Sequence, residues 1–167
     1  MPDKLLLNII KEMEENHNID TEKGIITRKK DGKIIGHKNK KGYIEFGFNY
    51  ARYQAHRVIL TKYLGREIKQ DFHCDHINHN PNDNRISNLR ELNHQENNQH
   101  KQLSSKNTSG YKGVGWDKYS KKWKAQIKLD NKSMHLGNFD TPEEGYEAYK
   151  KKALELNKLG HKYFFID

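Results

Sequence analysis

Residues 72–89 read FHCDHINHNPNDNRISNL, a short strand-like run that leads into a loop rich in asparagine, aspartate and proline. Asn and Asp side chains hydrogen-bond to nearby backbone groups and Pro restricts φ, so these residues favour turns. We therefore expect an irregular loop over 79–84. The flanking runs over 72–77 and 90–92 are predicted to be the two strands that this loop connects.

Helix and hairpin signals surround this segment. Apolar residues at helical spacing predict short helices over 4–15 and 55–65, the second of them closed by a glycine. Between them, β-branched and aromatic runs broken by turn residues predict lysine-rich hairpins over 24–53. Beyond the second motif strand, Asn93 and Glu96 have the spacing of a capping box, which predicts that a helix begins there.

Asp75 and His76 stand near the end of the first motif strand. Successive side chains of a strand point to opposite faces, so two neighbours can reach one site only where the strand ends. The helix after the second strand would pack across both strands and bring Asn97 near Asp75, which offers two oxygen ligands to a hard cation. Imidazole titrates near neutral pH, so His76 is a candidate general base. Asn88 is a candidate for holding either the loop or that imidazole by hydrogen bonding.

The charge of the chain is unevenly distributed. The net charge is +9 over 167 residues. Residues 23–69 carry thirteen Lys and Arg against three Asp and Glu, residues 103–135 carry eight against two, and residues 70–100 carry two against five. Two basic surfaces that flank a segment bearing carboxylates suit a protein that grips phosphates around a bound cation. RNA-binding and ribosome-associated proteins share this balance and remain an alternative.

Composition excludes several classes of protein and of site. Only 33% of the residues are hydrophobic, so we expect small units and not one large core. The single cysteine, Cys74, excludes an internal disulfide and a zinc site built on several thiolates. His73, His76 and His79 recur every third residue beside it, which leaves a mixed zinc site as a lesser alternative. The apolar cluster at 5–10 is too short to span a membrane and lacks a cleavage pattern, so we expect an intracellular, cytoplasmic protein.

The central segment resembles the HNH nuclease family, and in particular the phage and intron-encoded homing endonucleases. The matching features are Asp75-His76-Ile77, the loop 80–85, Asn88-Leu89, Asn97 followed by His100, and the upstream Ala55-His56-Arg57. The resemblance implies a ββα-metal nuclease that cuts double-stranded DNA in a phage or bacterial context. Asp75 and Asn97 would bind one Mg²⁺ or Mn²⁺ per active site, His76 would be the general base and Asn88 the structural asparagine. His100 is a less favoured substitute ligand, and His56 is interpreted as a hydrogen-bonding residue or a phosphate contact.

The chain beyond residue 102 predicts a second unit. Residues 103–110, LSSKNTSG, have the composition of a flexible connector. Strand-like runs follow over 111–116, 123–129 and 132–139. A helix is predicted from Thr141 or Pro142 to about Leu159, because Pro suits a first helical position and Gly stands just past its end. Three strands and one helix make a complete small α+β unit.

This second unit resembles the DNA-binding domain of plant ethylene-response factors, variants of which also occur joined to homing nucleases. The motifs are SGYKGVGW at 109–116, KWKAQI at 122–127 and HLGNFDTPEEG at 135–145, with Ala148-Tyr149 beyond them. The resemblance implies that the three-stranded sheet lies in the major groove of DNA. This sheet carries lysines where the plant family favours arginines, so it would grip phosphates more than it reads bases.

Alternation along the middle strand divides its side chains between two faces. Trp123, Ala125, Ile127 and Leu129 are predicted to face the helix, and the basic side chains to face away from it. Trp116 is the aromatic residue that we most expect to touch a sugar or a base, while Arg57 and Arg85 suit either phosphate or a surface ion pair. The predicted DNA-binding residues are Arg57, Arg85, Lys112, Trp116, Lys122, Lys124, Gln126 and Lys128.

The sequence therefore predicts an α+β protein with a ββα-metal nuclease core, preceded by β-hairpins and followed by a three-stranded antiparallel sheet with one helix. Its parts are an N-terminal helix within 1–22, an HNH nuclease domain over 23–102, a linker over 103–110 and a DNA-binding domain over 111–167. The predicted function is metal-dependent cleavage of duplex DNA, as a phage or mobile-element homing endonuclease. The main alternative is a DNA-binding regulator with an inactive motif. No membrane partner is expected.

Overall fold

The computed structural model describes residues 5–101, 103–130 and 132–163. It confirms the α+β class, with short helices and small antiparallel sheets. The chain divides into two compact units, Met1–His94 and Gln95–Asp167. No helix in the described ranges has the length and apolar character needed to cross a bilayer.

The described residues of the N-terminal unit form two helices and three small sheets. The helices are α1 (Leu6–Asn16) and α2 (Ala55–Leu64). The strands are β1 (His17–Asp20), β2 (Ile25–Arg28), β3 (His37–Lys38), β4 (Ile44–Phe48), β5 (Ala51–Gln54), β6 (Phe72–His76) and β7 (Leu89–Asn93). β1 pairs with β2, β4 lies between β3 and β5, and β6 pairs with β7.

The core of this unit is formed by the apolar faces of α1 and α2 and by the neighbouring sheets. Met13 of α1, Val58 and Ile59 of α2 and Ile26 of β2 are fully buried. Burying each such side chain contributes roughly 1.5–3 kcal/mol, which is why short helices with one apolar stripe are stable here. Gly65 caps α2 in the left-handed conformation with φ 63°, as its glycine predicted.

Two parts of the hairpin region differ from the prediction. Residues 17–20 form β1, so in the described part of the segment 1–22 the helix is followed by a strand. Its sequence is mostly polar, and only pairing with β2 brings Ile19 opposite Ile26 in the core. Within the region where hairpins were predicted, the run over 33–35 forms only a single bridge, between Thr27 and Ile34. Residues 4 and 102, at or near predicted helix ends, lie outside the described residues.

The motif segment folds as a hairpin around a long loop. β6 ends at His76, and the register pairs Asp75 with Arg90 and His76 with Leu89. A short 3₁₀ turn over Ile86–Asn88 closes the loop before β7. The predicted order of strand, irregular loop and strand is confirmed.

A helix, α3 (His94–His100), follows β7 as predicted. Its side chains bond to the C-terminal unit: Gln99 donates to the carbonyl of Lys128 at 3.3 Å and accepts from the hydroxyl of Tyr149 at 3.3 Å. Glu96 forms an ion pair with Lys162 at 3.2 Å. The unit boundary therefore precedes most of α3, whereas the connector was predicted over 103–110.

The C-terminal unit also contains a three-stranded sheet and a long helix. Its strands are β8 (Val114–Asp117), β9 (Lys122–Leu129) and β10 (Lys132–Phe139), with β9 in the middle. The helix α4 (Pro142–Lys158) begins with a capping box between Thr141 and Glu144 and carries Pro in its first turn, which are two common start signals. β8 begins later than the predicted residue 111, because the chain still turns at Gly113, where φ is 75°.

Candidate active site and nucleic-acid surfaces

His76 lies buried at the end of β6, with 6% of its surface exposed. Its Nε2 is 3.0 Å from Oδ1 of Asn84, a loop residue that is 3% exposed. A carboxamide oxygen only accepts hydrogen bonds, so Nε2 is the donor. The candidate base is therefore held by a residue that sequence reasoning missed. Five asparagines lie between residues 78 and 88, and no feature of the sequence distinguishes this one.

Asn88 holds the same loop at its other end. Its Nδ2 donates to the carbonyl of Asp83 at 2.7 Å, and its Oδ1 accepts from the backbone N–H of Asn78 at 2.9 Å. Asn88 is buried and joins the start of the loop to its end. The sequence left open whether Asn88 holds the loop or the imidazole. In the structure Asn88 holds the loop, and Asn84 bonds to the imidazole.

Arg85 forms a bidentate ion pair within the loop. Its Nε and terminal nitrogen donate to the two carboxylate oxygens of Asp83 at 2.8 and 2.7 Å. These hydrogen bonds from Arg85 lower the pKa of Asp83 to about 2. Arg85 was predicted to suit either DNA or an ion pair, and in the free protein it forms the ion pair.

The turn between β1 and β2 supports the backbone of this loop. Gly24 has φ +69°, and a Cβ there would overlap the backbone nitrogen of Arg85 and the carbonyl carbon of Asn84. Nearby, the N–H of Ile86 donates to the carbonyl of Thr21 at 2.9 Å. Only glycine allows this approach at this φ, so the first hairpin helps to place Asn84.

Replacing Gly24 by alanine is expected to destabilise the protein more than replacing Gly32 by alanine. The two φ angles are +69° and +68°. Both variants therefore carry the strain of the left-handed region, about 1–2 kcal/mol. Only the new Cβ at Gly24 meets backbone atoms, since nothing lies within 4 Å of the one at Gly32. Overpacking adds about 1–3 kcal/mol. Urea unfolding measures both losses, and equal losses would contradict the supporting role of the β1–β2 turn.

Two rings pack around His76. The centroid of His56, on α2, is 5.1 Å from that of His76 in an edge-to-face arrangement, and Tyr43 lies 5.0 Å from His56. His56 is 4% exposed, and its Nδ1 has no hydrogen-bond partner among the described residues. Burial, together with the charges of His76 and Arg57, lowers the pKa of His56 to about 3. The sequence predicted a hydrogen-bonding residue or phosphate contact, whereas His56 is a buried, neutral ring beside the base.

Asp75 pairs across the hairpin with Arg90. The Nε of Arg90 donates to Oδ2 of Asp75 at 2.9 Å, and the two side chains are mostly buried. Opposite charges at facing positions stabilise a hairpin. Sequence reasoning missed Arg90 because the strand register, which sets the two residues opposite each other, depends on how the loop folds.

The predicted metal ligands lie in different units. Asp75 is in the N-terminal unit, and Asn97 is on α3 in the C-terminal unit, as is the buried His100. That Asp75 and Asn97 share one ion stays a prediction. Within the described ranges, no three His, Cys, Asp or Glu side chains are grouped so that they could hold a metal ion.

The residues of the alternative zinc site have other surroundings. The Sγ of Cys74 lies 3.7 Å from the carbonyl oxygen of His56, and burial raises the pKa of this thiol to about 12. A raised pKa disfavours the thiolate that zinc requires. His73 is exposed, and its ring centroid lies 5.7 Å from that of His94.

Three comparisons relate this arrangement to known proteins. Residues 53–99 match the family model of an HNH endonuclease. An uncharacterized HNH endonuclease of Acanthamoeba polyphaga mimivirus is 32% identical over 117 residues, which are 70% of this chain and 59% of that relative. Protein 3.8 of Escherichia phage T7 is 30% identical over 106 residues, which are 62% of this chain and 83% of that protein. The chain belongs to the HNH endonuclease family.

The HNH match runs from β5 through α2, β6 and β7 into α3. It contains Asp75, His76, Asn88 and Asn97, whereas the sheet of the C-terminal unit lies outside it. The likeness to ethylene-response factors therefore stays a prediction. This HNH chain spans 59% of the length of its mimivirus relative. It is also similar to the solved structure of the HNH homing endonuclease I-HmuI, with a TM-score of 0.47 and 20% identity over 92% of this chain and 89% of that one.

The C-terminal sheet of this HNH protein has one polar and basic face. Along β9, Lys124, Gln126 and Lys128 are exposed while Ala125 and Ile127 are fully buried, which confirms the predicted alternation. The register places His135 of β10 beside Gln126 and Ser133 beside Lys128. A row of cations and hydrogen-bonding groups therefore faces solvent.

The other predicted contacts of the sheet have different surroundings. Lys122 forms an ion pair with Asp140 at 3.0 Å. The Nζ of Lys112 is buried and has no hydrogen-bond partner in the described part of the chain, and burial lowers the pKa of this lysine to about 8. Trp116 is 48% exposed, and the register sets it opposite Trp123. Trp116 also lines a surface cleft together with Lys124 and Gln126. That Lys112 and Trp116 contact DNA stays a prediction.

Arg57 is exposed on α2, directly after His56. It lines a surface cleft of the N-terminal unit together with Arg52, Glu45 and Tyr53. Arg52 forms an ion pair with Glu45 at 3.6 Å. The position suits the predicted phosphate contact of Arg57, because a guanidinium at a cleft wall can reach a bound anion.

Proposed function

We propose that this protein is a metal-dependent endonuclease that hydrolyses phosphodiester bonds in double-stranded DNA, with His76 as its general base. The observation that carries the proposal is the position of His76, which is fixed at a strand end, beside Asp75, inside the segment that matches the HNH family. Hydrolysis needs a group that takes a proton from the attacking water, and a fixed imidazole suits that task.

The residues around His76 have different proposed roles in proton transfer and in positioning. Nε2 is bonded to Asn84, so Nδ1 is the nitrogen that would take the proton from water. Asn88 keeps the loop closed and thereby keeps Asn84 in reach. His56 stays neutral beside the base, so its ring adds no positive charge next to His76. Arg57 is proposed to bind a phosphate near the site.

Asp75 and Asn97 are the proposed ligands of one divalent cation, Mg²⁺ or Mn²⁺. Magnesium is bound through one or two carboxylates and keeps several waters, so it requires no larger cage of protein ligands. Asp75, next to last in β6, would supply the carboxylate and Asn97 a carboxamide oxygen. A bound cation would stabilise negative charge on the attacked phosphate.

A plasmid nicking assay tests the proposal. Supercoiled plasmid is incubated with the full chain in magnesium, in manganese and in chelator, and nicked and linear products are measured. We expect cleavage with either metal and none in chelator. Cleavage in chelator would contradict the metal dependence, and no cleavage under any condition would contradict the nuclease.

We propose the exposed face of β9 as a DNA-binding surface, in the manner of the ethylene-response-factor domain. Replacing Lys124 and Lys128 together by alanine is expected to weaken DNA binding and to lower the slope of log K against log salt by about 2, because each phosphate contact releases counterions. Fluorescence anisotropy at several salt concentrations measures this slope.

Replacing Lys151 and Lys158 together by alanine is the matched control, because both are exposed on α4 and the charge change is the same. We expect a smaller effect from this pair. Equal effects of the two pairs would mean that net charge alone matters, and would contradict the proposed surface.

The second candidate is a DNA-binding regulator whose motif is inactive. The ion pair between Asp75 and Arg90 favours it, because a carboxylate neutralised by a guanidinium binds a cation less strongly. DNA binding without nicking would support this candidate.

The relatives in a giant virus and a phage support a viral or mobile-element setting, and with it the role of a homing endonuclease.

A further inference from the structure

We infer that Asn84 is a positioning residue of the general base, whose carboxamide oxygen selects the tautomer of His76. This inference rests on the proposed function of His76 and adds a residue that the HNH resemblance did not single out. It concerns Asn84 and not Asn88, the structural asparagine of the motif.

The hydrogen bond between the two side chains dictates the tautomer. Neutral imidazole carries one proton, either on Nδ1 or on Nε2. Oδ1 of Asn84 accepts and lies 3.0 Å from Nε2 of His76, so the proton is on Nε2 and the lone pair is on Nδ1. A ring with its proton on Nδ1 could not take a proton from water there. Without the acceptor, both tautomers would be populated.

Burial makes this acceptor hard to replace. His76 and Asn84 are both almost completely buried, so water has little access to take over the hydrogen bond. A buried donor without an acceptor has lost its hydration and gained no hydrogen bond, which destabilises the folded state. The hydrogen bond therefore orients the imidazole ring and also gives its buried N–H an acceptor.

The surroundings of Asn84 hold the oxygen in place. Asn88 ties the loop together on one side of it, and Gly24 lies directly against its backbone. The rings of His56 and Tyr43 also pack against His76, with centroids 5.1 and 5.9 Å away. The imidazole of His76 is thus held by one hydrogen bond and by contacts with two rings.

Two substitutions at Asn84 separate acceptor chemistry from packing. Asn84→Leu keeps a side chain of similar shape but no acceptor, and is expected to lower kcat for nicking about 10–100-fold with KM nearly unchanged. Asn84→Asp keeps an oxygen in the same place and is expected to stay within a few-fold of the wild type. Asn82→Leu, at an exposed position of the same loop, is the matched control and should leave kcat unchanged.

Wild-type activity in Asn84→Leu would overturn the inference. So would an Asn84→Asp variant that keeps the wild-type melting temperature but loses as much kcat as Asn84→Leu, because loss at this site would then not depend on the acceptor. If Asn84→Leu does not fold, Asn84→Asp is compared with the wild type instead. A lower kcat in Asn84→Asp at an unchanged melting temperature would then contradict the inference.

A second measurement does not depend on nuclease activity. Long-range ¹H–¹⁵N correlation spectra of the full chain report the tautomer of each histidine. We expect His76 in the form with its proton on Nε2, and a mixture of both forms in Asn84→Leu. A proton on Nδ1 in the wild type would overturn the inference. An inactive wild type with the Nε2 form would instead count against the proposed nuclease alone.

Discussion

Replacing His76 by alanine is expected to lower the rate of plasmid nicking by about 10²–10⁴-fold, the usual contribution of a general base, while the Kd for DNA stays nearly unchanged. His76 is buried beside Asn84 and His56, so it contributes little to a DNA-binding surface. Its loss therefore affects proton transfer more than affinity. Nicking rates and fluorescence anisotropy, measured on the same preparation, separate the two effects.

His73 provides the matched control for this substitution. It lies on the same strand, β6, but is exposed. Replacing His73 by alanine should change neither nicking nor binding by more than a few-fold. If His76→Ala lost nicking and DNA binding in equal measure, together with a lower melting temperature, then His76 would be a structural residue and not the base.

The second large effect is expected in the pH dependence of stability. The pKa of His56 is lowered from 6.5 to about 3 in the folded protein, chiefly by burial. Between these two values the unfolded chain binds more protons than the folded one, so the free energy of unfolding falls as the pH falls. One pKa unit corresponds to about 1.4 kcal/mol. His56 alone should therefore lower the free energy of unfolding by roughly 3 kcal/mol between pH 7 and pH 4.

Comparison with His56→Phe isolates this contribution. Phenylalanine fills a similar volume and does not titrate, while all carboxylates titrate alike in both proteins. Urea unfolding at pH 7, 5.5 and 4 should show the variant gaining stability relative to the wild type as the pH falls. Parallel curves for the two proteins would show that His56 is protonated freely in the folded state.

Much of the fold could be predicted from the sequence, because local patterns dictate local structure. The apolar stripe of α2 and its closing Gly65, the capping box of α4 and the alternation along β9 all correspond to observed elements. Each of these signals depends on neighbours a few residues away. The strand β1 was missed for the opposite reason, since its polar residues become a strand only through pairing with β2.

The residues around His76 could not be predicted in this way. Asn84, His56 and Arg90 each reach the motif through the loop, through α2 or through the strand register. The surroundings of Lys112 and Trp116 could not be predicted for a similar reason. A turn at Gly113 and the pairing of Trp116 with Trp123 decide where those side chains point.

By itself the sequence determined the class of fold, the strand, loop and strand that carry Asp75 and His76, and the basic face of β9. These features follow from periodicity, turn residues and charge, which depend on residues close together in the chain. Only the tertiary structure decided that Asn84 bonds to the base, that His56 stays neutral beside it and that Arg90 pairs with Asp75. Those contacts join segments distant in the chain, and burial gives them a strength that exposed groups of the same types would lack.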